Sequence, residues 1–152
     1  MKYSLDASFL IDCWTRARNL PGLLEKLEDL IERRQAQATI EVLRELEKKE
    51  DELAKWSKRQ LNLFVPIDEN IQLVVAQILA KYPNLIDGIK YRSAADLFVI
   101  ALAKIHKCKV VTTEPHISGL RGKVSLAGVC DSIGVKDITL LDLIKEQKWK
   151  FR

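Results

Sequence analysis

Apolar and polar positions along this chain switch between two periods, and the switches mark its elements. Lys2–Leu5 is a short run that stops at Asp6-Ala7-Ser8, which predicts a strand ended by a polar turn. Ser8 is placed to cap a helix from Phe9 to about Arg18. After a break at Asn19-Leu20-Pro21-Gly22, Leu23, Leu27, Leu30 and Ile31 form a helical stripe. Gln35–Thr39 reads as a second strand with Thr39 as the next N-cap. Ile40–Leu63 is charged and helical, as one helix or two. "FVPID" breaks it, and Asp68 is placed to cap a helix with Ile71, Val74, Val75, Ile78 and Leu79 on one face. Tyr82–Ala94 is predicted to be a loop by its Pro, Asn and Gly. "AADLFVIALAKIHK" is apolar almost all round, as a helix buried against a sheet would be. "CKVVTTEP" is a compact β-branched run stopped by Pro115, and Gly119–Gly122 a basic loop. Val135–Ile138 is the last predicted strand, followed by a C-terminal helix.

Strands alternating with helices imply βαβ units and a parallel sheet covered on both faces. Such sheets bind ligands outside the carboxyl ends of their strands. Asp6 ends the first strand and Glu114 ends the "KVVTT" strand. Asp96 opens the apolar helix, and Glu45 lies on the helix after the second strand. Helices that follow parallel strands start at the same rim, so these four acids are expected to converge. Clustered carboxylates repel unless a cation joins them. Oxygen-only donors favour Mg²⁺ or Mn²⁺ over zinc, and such an ion activates water and stabilises charge on a phosphodiester. Taken singly, each acid also has a structural use: Asp6 in an Asx-turn, Asp96 at a helix N-terminus, Glu45 as a solvated helix acid, Glu114 in a turn.

Those stretches, "SLDASFLID", "VLREL", "ADLFVIALA" and "VVTTEP", resemble in order the signatures of the PIN domain, over essentially the whole chain. The family's first Asp falls on Asp6, with Ser8 as its accompanying hydroxyl. Its Glu falls on Glu45 and its third acid on Asp96. Its Thr-x-Asp falls on Thr112, Thr113 and Glu114, with Glu in place of Asp. Glu41 is the runner-up to Glu45, and Asp12 and Asp131 are more distant alternatives. The resemblance implies an α/β fold, a PIN-like three-layer sandwich whose central parallel sheet, in strand order 3-2-1-4-5, is flanked by helices. It also implies metal-dependent ribonuclease activity with Mg²⁺ or Mn²⁺ at Asp6, Glu45, Asp96 and Glu114, and RNA as substrate. Many small PIN proteins are toxins of toxin–antitoxin pairs, and many form homodimers. An antitoxin and a second copy are therefore expected partners. The alternative reading is a catalytically silent PIN-like module used for binding or assembly.

Composition narrows the field further. The 152 residues are 47% hydrophobic and 30% charged, the profile of one globular domain spanning 1–152. No apolar run approaches the ~18 residues of a membrane helix. The N-terminus does not read as a signal peptide, so a cytoplasmic protein without membrane contact is expected. Three dispersed cysteines and two histidines lack zinc or redox spacing. The net charge of +4 tilts weakly toward a polyanionic partner, with Lys90, Arg92, Arg121 and Lys123 near the expected rim. A haloacid dehalogenase phosphatase needs a second Asp where Ser8 stands, and a receiver domain needs paired acids after strand one.

Overall fold

The computed structural model describes residues 1–81, 95–113 and 126–151. Its elements run β1 (Tyr3–Leu5), α1 (Ala7–Arg16), α2 (Leu23–Glu32), β2 (Ala36–Thr39), α3 (Ile40–Glu47), α4 (Glu52–Arg59) and β3 (Phe64–Val65). They continue with α5 (Glu69–Lys81), α6 (Ala95–His106), β4 (Lys109–Val111), α7 (Leu126–Ile133), β5 (Asp137–Ile138) and α8 (Leu140–Gln147). The five strands form one sheet in the order β3-β2-β1-β4-β5, and every pairing is parallel. This is the PIN-like order the resemblance implied, with helices flanking the sheet.

The central position of β1 explains its composition. All three of its residues are buried, so the short polar side chain of Ser4 needs an internal partner. Ser4 finds it by donating its hydroxyl to the Val99 carbonyl of α6, at 2.8 Å. That helix buries seven of its side chains, from Ala95 to Ala103, and packs on β1, β2 and β4. The core is continuous from Leu5, Phe9 and Leu10 through Leu27, Ile31 and Val42 to Val110, Leu126 and Leu143.

Several sequence expectations shift. The stretch from Ile40 to Leu63 holds two helices, separated at Asp51, which caps α4 by accepting from the Ala54 N–H. Part of "FVPID" is β3, the edge strand, before its Pro ends pairing. Ser8 is not the N-cap of α1. Asp6 holds that position, and Ser8 lies inside the first turn. Thr39 does stand at the N-cap of α3 but makes no capping bond. Asp68 forms its predicted cap by accepting from the Ile71 N–H at 2.9 Å. A helix over Leu126–Ile133 was not expected at all. Tyr82–Ala94 and Gly119–Gly122 lie outside the described residues.

The last helix is fixed by a reciprocal cap. Thr139 Oγ1 accepts from the Asp142 N–H, and Asp142 accepts from the Thr139 N–H. The Thr139 amide holds the Asp142 carboxyl below the usual carboxylate range, against a smaller opposing effect of burial. A depressed carboxylate stabilises the fold above its unfolded pKa, and the contribution is lost as pH falls through the folded value. Thr139→Ala is expected to cost about 1 kcal/mol in denaturant titration at neutral pH, with a smaller difference from wild type in acid.

Candidate active site

Asp6 follows the last residue of the central strand, and its N–H donates to the Val111 carbonyl of β4, at 3.1 Å. The residue is 3% exposed. A carboxylate so buried needs donors. Ser8 donates to Oδ2 at 2.6 Å and Thr112, just past β4, donates to the same oxygen at 2.8 Å. The two hydroxyls are 3.1 Å apart, and Ser8 Oγ also accepts from the Thr113 N–H. Two strands and a helix start therefore hold one carboxylate oxygen.

Asp96 belongs to the same edge of the sheet. α6 leads into β4, which runs parallel to β1, so the helix starts at the strands' carboxyl edge. The Ser4–Val99 bond sets the register. From Ser4 to Asp6 the strand advances about 6.6 Å toward the rim. From Val99 back to Asp96 the helix advances about 4.5 Å in the same direction. Asp96 is half-buried in the first turn of α6.

The charges of both acids also act on Cys130 of α7. Burial pushes this thiol up, and the charges of Asp137, Asp131, Asp6 and Asp96 push it further. Burial raises Cys13 to about 12 and Cys108 to about 11. Thiolate is the reactive form, so the folded protein is expected to react slowly with a thiol reagent at neutral pH. A denaturant-treated sample should titrate all three at once.

Glu45 is half-buried in the second turn of α3, which packs on α1 and α6. Glu41, its runner-up, pairs with Arg44, and Asp12 pairs with Arg16. Asp131 is exposed on α7. Glu114 lies outside the described residues, as do Lys90, Arg92, Arg121 and Lys123. Among the described residues, no group of three or more His, Cys, Asp or Glu side chains is arranged to hold a metal ion. The carboxylate oxygens of Asp6 and Asp96 are of the donor type that Mg²⁺ takes, usually through one or two carboxylates with several waters kept. Beside Thr113 opens a cavity of about 600 Å³, walled by Leu140, Leu141, Ile144 and Phe151 with the Asp12–Arg16 pair at its side.

Thr112 bonds Asp6 and Ser8 across 106 and 104 positions, contacts that short motifs do not announce. Ser4 and Cys130 were missed. A polar residue inside an otherwise apolar strand was the available signal for Ser4.

Residues 3–151 match the family described as "Domain of unknown function (DUF4411)". The chain belongs to the DUF4411 family. No curated protein matches the sequence of this DUF4411 chain. Its fold is similar to a chain in FitAcB from Neisseria gonorrhoeae, at 18% identity and TM-score 0.54, covering 91% of this chain and 96% of that one. A chain of VapBC2 from Rickettsia felis, bound to a DNA fragment from their promoter, is similar at 13% identity and TM-score 0.52, over 91% and 98%. A toxin–antitoxin complex from Klebsiella pneumoniae contributes a third similar chain, at 17% identity and TM-score 0.50, over 83% and 98%. At these identities the likeness concerns the fold, and that fold is PIN-like. No described helix of the DUF4411 chain is long and apolar enough to cross a membrane.

Proposed function

We propose that this chain is a Mg²⁺- or Mn²⁺-dependent nuclease that hydrolyses RNA phosphodiester bonds, and that it is the toxin of a toxin–antitoxin pair. The observation that supports this best is the buried Asp6 carboxylate, fastened by two hydroxyls at the carboxyl end of the central strand. The second support is the fold it shares with a chain of a toxin–antitoxin complex.

In this reading Asp6 and Asp96 hold the ion, and Glu45 and Glu114 hold it or its waters. When bound, the ion supplies Lewis acidity and lowers the pKa of water. Ser8 and Thr112 donate to Oδ2 of Asp6, which fixes the carboxylate's rotamer. The Thr113 N–H on Ser8 Oγ orients that hydroxyl toward Asp6. An antitoxin and a second copy of the chain are the protein partners of this reading.

The test is cleavage of mixed RNA by the purified protein with Mn²⁺, with Ca²⁺ and with EDTA. Cleavage with Mn²⁺ and none with EDTA is expected, and Asp96→Asn should lose it. No cleavage over several RNAs would favour a silent binding or assembly module.

A further inference from the structure

The parallel sheet puts every strand start on the edge opposite Asp6, and that edge is basic. Lys2 precedes β1, Arg34 precedes β2, Lys107 precedes β4 and Lys136 precedes β5. Lys104 lies in the last turn of α6 beside them, and Lys109 opens β4. The parallel pairings bring these residues to one side.

Two adjoining clefts lie among them. One, of about 410 Å³, is walled by Lys104, Lys107, Lys109 and Lys136. The other, of about 240 Å³, is walled by Lys2, Lys107, Lys109 and Glu146. Lys107, Cys108 and Lys109 belong to both. Glu146 is the carboxylate that enters the patch, and it is engaged by Lys109 and by the Tyr3 hydroxyl. Lys2, Lys104, Lys107 and Lys136 are exposed and make no ion pair among the described residues. Lys107 has φ +51°, in the left-handed region where glycine is cheapest.

We infer that this amino edge docks the phosphodiester backbone of a nucleic-acid strand, apart from the carboxyl edge that carries Asp6. Charge complementarity is the argument. Unpaired ammonium groups around a shared pair of clefts offer a chain of phosphates several contacts at once, and releasing its counterions drives binding. The acidic edge repels the same backbone and lies about 18 Å away, the length of α6. The inference does not depend on catalysis, because binding is read with EDTA present.

The test is fluorescence anisotropy with a short labelled single-stranded RNA, and with DNA of the same sequence, across a salt series. Lys104→Gln/Lys107→Gly/Lys136→Gln should weaken binding about tenfold or more and flatten the salt slope by about 2, at ~0.7 for each lost phosphate contact. Lys48→Gln/Lys49→Gln/Lys58→Gln removes the same charge elsewhere and should bind as wild type. If the triple variant does not fold, Lys107→Gly alone decides, since glycine suits that backbone; a slope lower by about 0.7 is expected. Equal losses in both triple variants would reduce the effect to net charge and overturn the inference. So would unchanged binding with a lowered Tm, which assigns the lysines to helix C-termini alone. Retention by anionic vesicles but by neither nucleic acid would overturn it as well.

Discussion

Asp6→Asn is expected to lower metal-dependent RNA cleavage by about a thousandfold, the scale of a few kcal/mol of lost charge stabilisation, and to leave the fold standing. Asparagine keeps the shape of the side chain. Both hydroxyls donate to one oxygen, Oδ2, so the amide must turn its oxygen toward Ser8 and Thr112. Its NH₂ then occupies the other position, where it cannot ligate a cation. With EDTA present the substitution removes a buried negative charge, so its Tm should equal or exceed that of wild type. Circular dichroism and thermal melts check the fold, and gel assays with Mn²⁺ check cleavage. Equal cleavage by the two proteins would mean a contaminating nuclease and would sink the assignment.

The largest stability effect is expected at Leu5→Ala. Leu5 is fully buried in the central strand, one residue before Asp6. Truncation removes apolar contacts and leaves a cavity that helices on both sides cannot readily fill, a loss of about 2–5 kcal/mol. Against a typical stability of about 5–15 kcal/mol, that consumes much of the total. Leu61, 90% exposed, provides the contrast: Leu61→Ala should stay within about 0.5 kcal/mol. Urea titration reads both, and an unchanged m-value assigns the shift in midpoint to stability. Similar midpoints for the two variants would contradict the burial pattern.

What the sequence disclosed follows the range of each interaction. β1, β4 and the buried helix α6 are written in local runs, because a central strand and a helix packed on it are apolar on nearly every side. α7 was illegible for a related reason. "LAGVCDSI" follows a Gly-rich basic stretch, and five of its eight residues are buried in sequence, so no helical stripe shows. β3 is two residues long and is joined to the sheet along one side only, too short for any period. At the site, the position of Asp6 could be read from the end of its strand. Ser8 was given as its accompanying hydroxyl by the family resemblance, although its local context also favours capping the helix. The contact between Ser8 and Thr112 was not legible, because sheet pairing brings Thr112 from the far side of the chain.

That same pairing has a consequence during synthesis. β1 leaves the ribosome first, yet its neighbours arrive much later: β2 after residue 36 and β4 only at residue 109. At about 5–20 residues per second, on the order of ten seconds pass before Thr112 exists to meet Asp6. Through that interval one side of β1 has no strand to pair with, and the pair of hydroxyls on Asp6 is incomplete. The nuclease proposed above therefore has no assembled centre until β4 and Thr112 have been made.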